Sequence, residues 1–524
     1  MNVAFDPWIP VINHCGERNF ASIHDVFAEG EQYADFAVRP HERVALMRLL
    51  LCVAHAALNG PKDLDEWEQV PHQIAAATGA YLKQWQDFFD LFHPEKPWLQ
   101  IANISRFPDQ STPTDDLTGW TSVSKLNFTC ATGNNSTLND HGGMCETRVF
   151  PIESTILSMI TFLCFSTGGL SSQIYWDGKQ TAKTARDAPC VPASMIHAFL
   201  RGKTLFETVY LNLITHDDIG KCYGHKVGRP VWESMPDSWD NQLSIDNATK
   251  SFSGRLMPLS RFLLLHPGGN HLLFGEGLAY PNYAEGFSAE PSAAEIVKMK
   301  NKKEERALLS FRPSRQLWRE LGALMVKRKA GEAGGPLTLL NLSAEDECDV
   351  TVSALARNQA TVVDTVESVF HVPGRLSTAV GVSTYEKEVK SAEQLASRLG
   401  WAVETYRMEH DGGWEGRLKN AGASSGELRS KLYSKATTHY WTAIEKNLGY
   451  LMEHVQSIGG DHVDETREKW RKMLFYSACD AYRTACGQET PRQIRAFAKG
   501  WQKLTGQKAS AQTVNQEEEG VSDE

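Results

Sequence analysis

The stretch TYEKEVKSAEQLASRLGWAVETYRM, residues 384 to 408, decides the architecture of this chain. Its apolar side chains return every third or fourth position, with no proline to interrupt them, which predicts a helix longer than a typical globular one. Three more stretches with the same period follow at 425 to 456, 463 to 486 and 491 to 504. The connectors DGGWEG, SIGGDH and GQET are Gly-rich or polar and short. Four helices joined in this way predict an up-and-down bundle over residues 381 to 508. The last residues, 509 to 524, carry the acidic run QEEEGVSDE and read as a disordered tail.

Upstream, residues 1 to 380 mix periods, which predicts a mixed α/β globular domain. Residues 41 to 58 (HERVALMRLLLCVAHAAL) follow Pro40 and have helical spacing, as do 81 to 92 (YLKQWQDFFDLF). Pro151 opens a further helix, IESTILSMITFLCFS, stopped by Thr167-Gly168-Gly169, where glycines suit a left-handed exit. Short apolar runs at 262 to 265 and 337 to 340 predict strands, and 352 to 370 is read as a return to helical period. Between Ser122 and Gly143 periodicity fails, and the loop chemistry of Thr132 to Thr137 marks a long connection, which in a compact domain is functional or disordered.

At 524 residues with 41% hydrophobic and 23% charged side chains, the chain can bury more than one core. No run of about 18 apolar residues occurs and the N-terminus has no signal-peptide pattern, so a cytoplasmic protein with no membrane contact is expected. The ten cysteines never stand at C-x-x-C spacing, which signals neither a disulfide framework nor a zinc ribbon. A net charge of −10 argues against a stand-alone DNA binder, so any nucleic-acid role must be local or shared with partners.

Two common catalytic motifs are missing: there is no H-E-x-x-H and no phosphate-binding G-x-x-x-x-G-K-[ST]. The nearest metal-like set is Cys130, His141 and Cys145, which keeps open a metal- or cysteine-dependent hydrolase, although structural zinc sites use more closely paired ligands. Lys298, Lys300, Lys302, Lys303 and Arg306 form a basic cluster, either a solvated surface strand or a track for DNA phosphates.

Several strings together resemble one family. Asp6-Pro7-Trp8-Ile9-Pro10-Val11, the segment Phe92 to Gln100, the loop Gly133-Asn134-Asn135-Ser136-Thr137-Leu138-Asn139-Asp140-His141, the stretch Gly202 to Thr208 with Leu211-Asn212-Leu213, and Arg357-Asn358-Gln359-Ala360 keep the order and spacing of the CasA family. These are large subunits of type I-E CRISPR Cascade surveillance complexes. The resemblance implies a non-enzymatic protein with no cofactor and no metal, partnered by crRNA, the other Cascade subunits, double-stranded target DNA and a recruited helicase-nuclease. It implies recognition of a short protospacer-adjacent motif from the minor groove, where base edges distinguish mainly A·T from G·C pairs. Gly168 and Gly169 match the family's glycine loop, which lets main chain approach base edges. Asn134, Asn135 and Phe128 match its motif-proximal loop. Asn341 and Leu342, within Leu340 to Ser343, match its strand-separating wedge, with Leu342 where relatives carry Gln. Relatives' zinc cysteines have no counterpart between 261 and 287, and no Lys lies between His266 and Val297. A purely architectural adaptor without DNA contact would share the same fold.

Overall fold

The computed structural model describes residues 1–108, 117–130, 140, 148–300, 302–343, 346–410 and 423–506, with the backbone alone for 423–429. The chain divides into two compact units between Val372 and Pro373.

The first unit is built around the helix Pro40–Leu58. Pro40 stands at its first position and Glu42 closes a capping box with the Arg39 backbone, so the start is sharply defined. Residues 43 to 55 are buried without interruption. A helix apolar on all sides belongs inside a core. Two helices flank it, the amphipathic Leu64–Gln84 and the apolar Ile152–Phe165.

Charged groups carried into this core are paired. Arg48 and Arg255 converge on the Glu290 carboxylate at 2.9 and 2.7 Å, and all three side chains are at most 3% exposed. His55 donates from Nδ1 to the Gly60 carbonyl and accepts the Ile214 N–H at Nε2. His197 spans the Cys190 carbonyl and the Ser292 hydroxyl.

Both rings are held neutral. Burial pulls His55 down to about 3 and His197 down to about 4, as it pulls His41, beside Arg39, to about 3. An unfolded histidine takes up a proton near 6.5, so the unfolded chain binds the extra protons below that pH. Stability is therefore full above pH 6.5 and is lost as pH falls toward 4, by about 2 kcal/mol per histidine at pH 5. Urea titrations at pH 7 and pH 5 check this, with His197→Gln reducing the difference between them by about 2 kcal/mol.

Three antiparallel strands form the sheet that leads to the site: Ile196–Arg201, Cys348–Asn358 and Thr361–Val372, in that order. The last two make one long hairpin, with Ala354 opposite Val366 and Asn358 opposite Thr361 at its tip. Here the structure corrects the sequence reading of 352 to 370 as helical. Every position from Val350 to Ala356 is buried, so the strand lacks alternation and its apolar run imitates a buried helix. Arg357-Asn358-Gln359-Ala360 accordingly is the hairpin tip.

Two smaller corrections follow. Leu337–Asn341 is a 3-10 helix, not a strand, and the helix expected at 81 to 92 starts at Leu64 and ends at Gln84, followed by a 3-10 turn at Gln86–Phe89. The expected strand at 262 to 265 lies within Arg261–Leu265 and pairs with His271–Glu276.

The second unit is helical: Ala379–His410, Ala423–Lys446, Gly449–Gln456, Val463–Ala485 and Pro491–Thr505. The stretch expected at 425 to 456 breaks at Asn447-Leu448 into two helices. On Ala379–His410 the buried positions Tyr385, Val389, Ala392, Ala396, Leu399, Val403 and Tyr406 alternate steps of four and three, the spacing of a coiled-coil seam. Buried Glu388 beside this seam accepts from Arg467 at 3.1 Å and Arg471 at 3.2 Å. Among the described residues no helix is long and apolar enough to cross a membrane. The tail from 509 lies outside the described residues.

Candidate nucleic-acid interface

The helix Ile152–Phe165 delivers its C-terminus to a surface cleft. Thr167 and the glycine pair leave the helix there, and Gly169 has φ of +140°, a backbone angle that side chains other than hydrogen rarely allow. The Gly169 main chain pairs with Ala185 in a short antiparallel ladder. A Cβ on Gly168 would stand 3.0 Å from the Ala185 carbonyl and 3.1 Å from Asp187 Oδ1, closer than ordinary van der Waals contact.

The hairpin tip closes the other side. Gln359, exposed at the turn, has φ of +53°, a left-handed angle for a residue with a Cβ. Such outliers cost about 1–3 kcal/mol and gather at functional sites.

Three tethers join loop and tip. Thr167 Oγ1 donates to the Ala360 carbonyl at 2.8 Å. The Gly168 N–H donates to Asp187 Oδ1 at 2.7 Å. Arg357 grips the same carboxylate with both guanidinium nitrogens at 2.6 Å, a bidentate geometry that fixes orientation as well as charge.

Between loop and tip lies a cleft of about 340 Å³, lined among others by Phe128, Gly168, Gly169, Ala360, Lys125 and Arg261. Among the described residues no Asp or Glu lines it. Arg261 is buried beneath it, its guanidinium donating to the Ser260 and Thr167 carbonyls, and desolvation pulls it down to about 10. Lys125, half-buried on the 3-10 turn Val123–Leu126, is likewise lowered by burial. Neither forms an ion pair among the described residues. Burial outweighs the attraction of Glu276 and Asp187 at Arg261, and an arriving anion or carbonyl-type acceptor relieves a cation so desolvated.

The structure thus brings three of the sequence-predicted residues together: Gly168, Gly169 and Phe128, the last packed edge-on against His41 and against Phe162. It does not bring Asn341 and Leu342 there. Asn341 donates its amide to the Leu213 carbonyl at 2.6 Å, and the Leu342 carbonyl accepts from Lys327, so both are engaged in local structure. Asn134 and Asn135 lie outside the described residues, as do His141 and Cys145 of the candidate hydrolase set. Cys130 is buried and lines the cleft. No group of His, Cys, Asp and Glu suited to a metal occurs among the described residues.

Lys298, Lys300, Lys302 and Lys303 occupy a separate hairpin, Glu295–Lys300 with Lys303–Leu308, and Lys302 takes the left-handed position in its turn. Acidic residues offset part of its charge: Lys298 faces Glu305, Lys300 pairs with Glu305 at 3.0 Å, and Arg306 is bound to Glu295. Sequence reasoning missed Lys125, Arg261, Asp187 and the tip Asn358-Gln359-Ala360. Only the tip left a signal, an Asn-Gln-Ala interruption between two runs rich in Val and Thr.

The family model for CRISPR-associated protein Cse1 matches residues 2–481. The chain belongs to the Cse1 family. A curated relative, the CRISPR-associated protein CasA/Cse1 of Thermus thermophilus, is 28% identical over 530 residues, covering 96% of each chain. The solved structure of Thermus thermophilus CasA superposes with a TM-score of 0.71 at 21% identity, over 96% of this chain and 98% of that one. A chain of a solved CRISPR RNA-guided surveillance complex gives 0.71 at 17% identity, over 96% and 99%. At these identities the superpositions establish the fold: a mixed α/β body followed by a helical region is the Cse1 architecture, here with Gly168, Gly169 and the hairpin tip facing one cleft.

Proposed function

We propose that this Cse1-family chain is the large subunit of a crRNA-guided type I-E surveillance complex, and that its glycine-loop cleft reads a short flanking motif in duplex DNA from the minor groove. The observation that carries this reading is the cleft itself. In a chain of net charge −10, a glycine loop, an aromatic ring, a left-handed hairpin tip and two cations converge where, among the described residues, no carboxylate lines the wall. Glycine main chain can approach base edges, and a cation there meets the acceptors and the negative potential of a narrow groove.

The tip, at Asn358-Gln359-Ala360, replaces Leu340 to Ser343 as the proposed wedge. It is exposed, braced by Thr167 and Arg357, and placed beside the loop, so it can press against the first base pairs, whose unstacking costs a few kcal/mol per step. Target DNA, crRNA and the other subunits are the partners, and a helicase-nuclease docks once target is bound. The chain acts by binding, with no catalytic step of its own, in the cytoplasm.

The test is target binding by the assembled complex with and without this chain. Motif-bearing duplex should bind at least about 10-fold more tightly than duplex with a scrambled motif, equal to about 1.4 kcal/mol, and only when the chain is present. Equal affinity for both duplexes, or cleavage of DNA by the isolated chain, would overturn the reading. Gly169→Val should abolish the preference while leaving the folded circular dichroism spectrum intact, because a β-branched side chain cannot hold the required φ.

A further inference from the structure

A second cleft, of about 580 Å³, adjoins the first and shares Lys125, Leu170, Ser171 and Phe274 with it. Arg106 and Lys183 stand with Lys125 along its wall, and again no Asp or Glu lines it among the described residues. The three cations come from separate segments. Arg106 follows the strand Ile104–Ser105, Lys125 sits on the 3-10 turn, and Lys183 lies where the glycine loop pairs back, its carbonyl accepting the Ser171 N–H at 2.9 Å. None has a carboxylate partner among the described residues; Arg106 is steadied by the Gln173 carbonyl instead. Ser171, Ser172 and Tyr175 add hydroxyl donors. Two large apolar side chains are exposed at this place, Leu170 at 82% and Phe107 at 42%.

From this arrangement we infer that the Arg106–Lys125–Lys183 cleft is a seat for the sugar-phosphate backbone of the target duplex, continuous with the glycine-loop cleft and independent of base sequence. The inference rests on the proposed function for its duplex ligand. Cations spread along a wall, with no acid among them in the described residues, suit a polyanion running past rather than a single small anion, which would be held by donors converging on one point. Hydroxyls donate to phosphate oxygens and fix register, and the exposed leucine and phenylalanine offer apolar surface to sugars. The basic hairpin at 295 to 308, where glutamates offset the lysines, is the weaker seat by the same criterion.

The experiment uses the assembled complex carrying Arg106→Gln, Lys183→Ala, or both. Equilibrium affinity is measured against salt for motif-bearing and scrambled duplexes. Each variant should weaken both duplexes alike, by about 3- to 10-fold, and lower the slope of log affinity on log salt by about 1 per cation removed, with the motif preference unchanged. Lys183 is exposed and makes no side-chain bond among the described residues, so its loss cannot act through misfolding.

Unchanged affinity and slope in a complex that still prefers its motif would overturn the seat and leave the proposed function standing. Weaker assembly with the crRNA-bearing remainder, at unchanged duplex affinity, would assign these cations to guide RNA and also overturn it. If the unmodified complex shows no motif preference but the variants lose salt slope, the proposed function fails and the phosphate seat survives.

Discussion

Glu290→Gln is expected to destabilise the first unit by about 3–5 kcal/mol. The carboxylate is the sole anion bonded to the two buried guanidinium groups of Arg48 and Arg255 among the described residues. Arg48 also donates to the Leu256 and Arg255 carbonyls, and Arg255 to those of Thr249 and Pro281, so neither can swing out to water when the charge is lost. Arg255 further stacks 4.2 Å above the Phe287 ring.

Burial alone would push the Glu290 carboxyl up, but Arg255 and Arg48 outweigh it and hold the group below the ordinary carboxylate range. The unfolded carboxylate therefore protonates first as pH drops. The stability contributed by Glu290 is present above the unfolded value and is lost as pH falls through the lower folded one. Urea midpoints of the wild type and the variant at neutral pH measure the effect. A loss under about 1 kcal/mol would show that the two arginines are compensated by backbone carbonyls alone.

Asp187→Ala is expected to weaken motif-dependent target binding by about 10- to 100-fold, or about 1.4–2.8 kcal/mol, with a smaller loss of fold stability of about 1–2 kcal/mol. One carboxylate holds the Gly168 N–H with one oxygen and the Arg357 fork with both. Removing it cuts two of the three tethers and leaves the Thr167–Ala360 bond, so a duplex must order loop and tip at part of its own cost. Because Arg357 is one-fifth exposed, water takes over part of its solvation and the stability loss stays moderate. Asp187→Asn, which keeps an acceptor for Gly168 but loses the charge, should fall between. In a double-mutant cycle with Arg357→Ala the second substitution should cost little once the first is made. Additive losses would show that loop and tip respond to DNA separately.

The parts of this molecule legible in sequence were those whose local chemistry agrees with their surroundings. The helix at 384 to 408 was visible because its seam repeats through seven buried positions, and the exit at Gly168-Gly169 because only glycine serves there. The long hairpin was not, since the strand from Cys348 is buried on both faces and its Ala354, Leu355 and Ala356 are good helix formers. The helix reading of 352 to 370 also hid the left-handed turn at Gln359. Lys125 and Arg261 were hidden for a different reason. Nothing in a sequence says which of 54 basic residues will be buried without a bonded carboxylate; that emerges only when segments far apart in the chain are folded together.

The acidic excess of the chain then acquires a use. On the proposed reading, the net charge of −10 disfavours non-specific approach of a polyanion, whereas the cleft walls that carry Lys125 and Lys183, acid-free among the described residues, attract it. Moderate salt would then damp both pull and push, so discrimination should erode more slowly with ionic strength than affinity does.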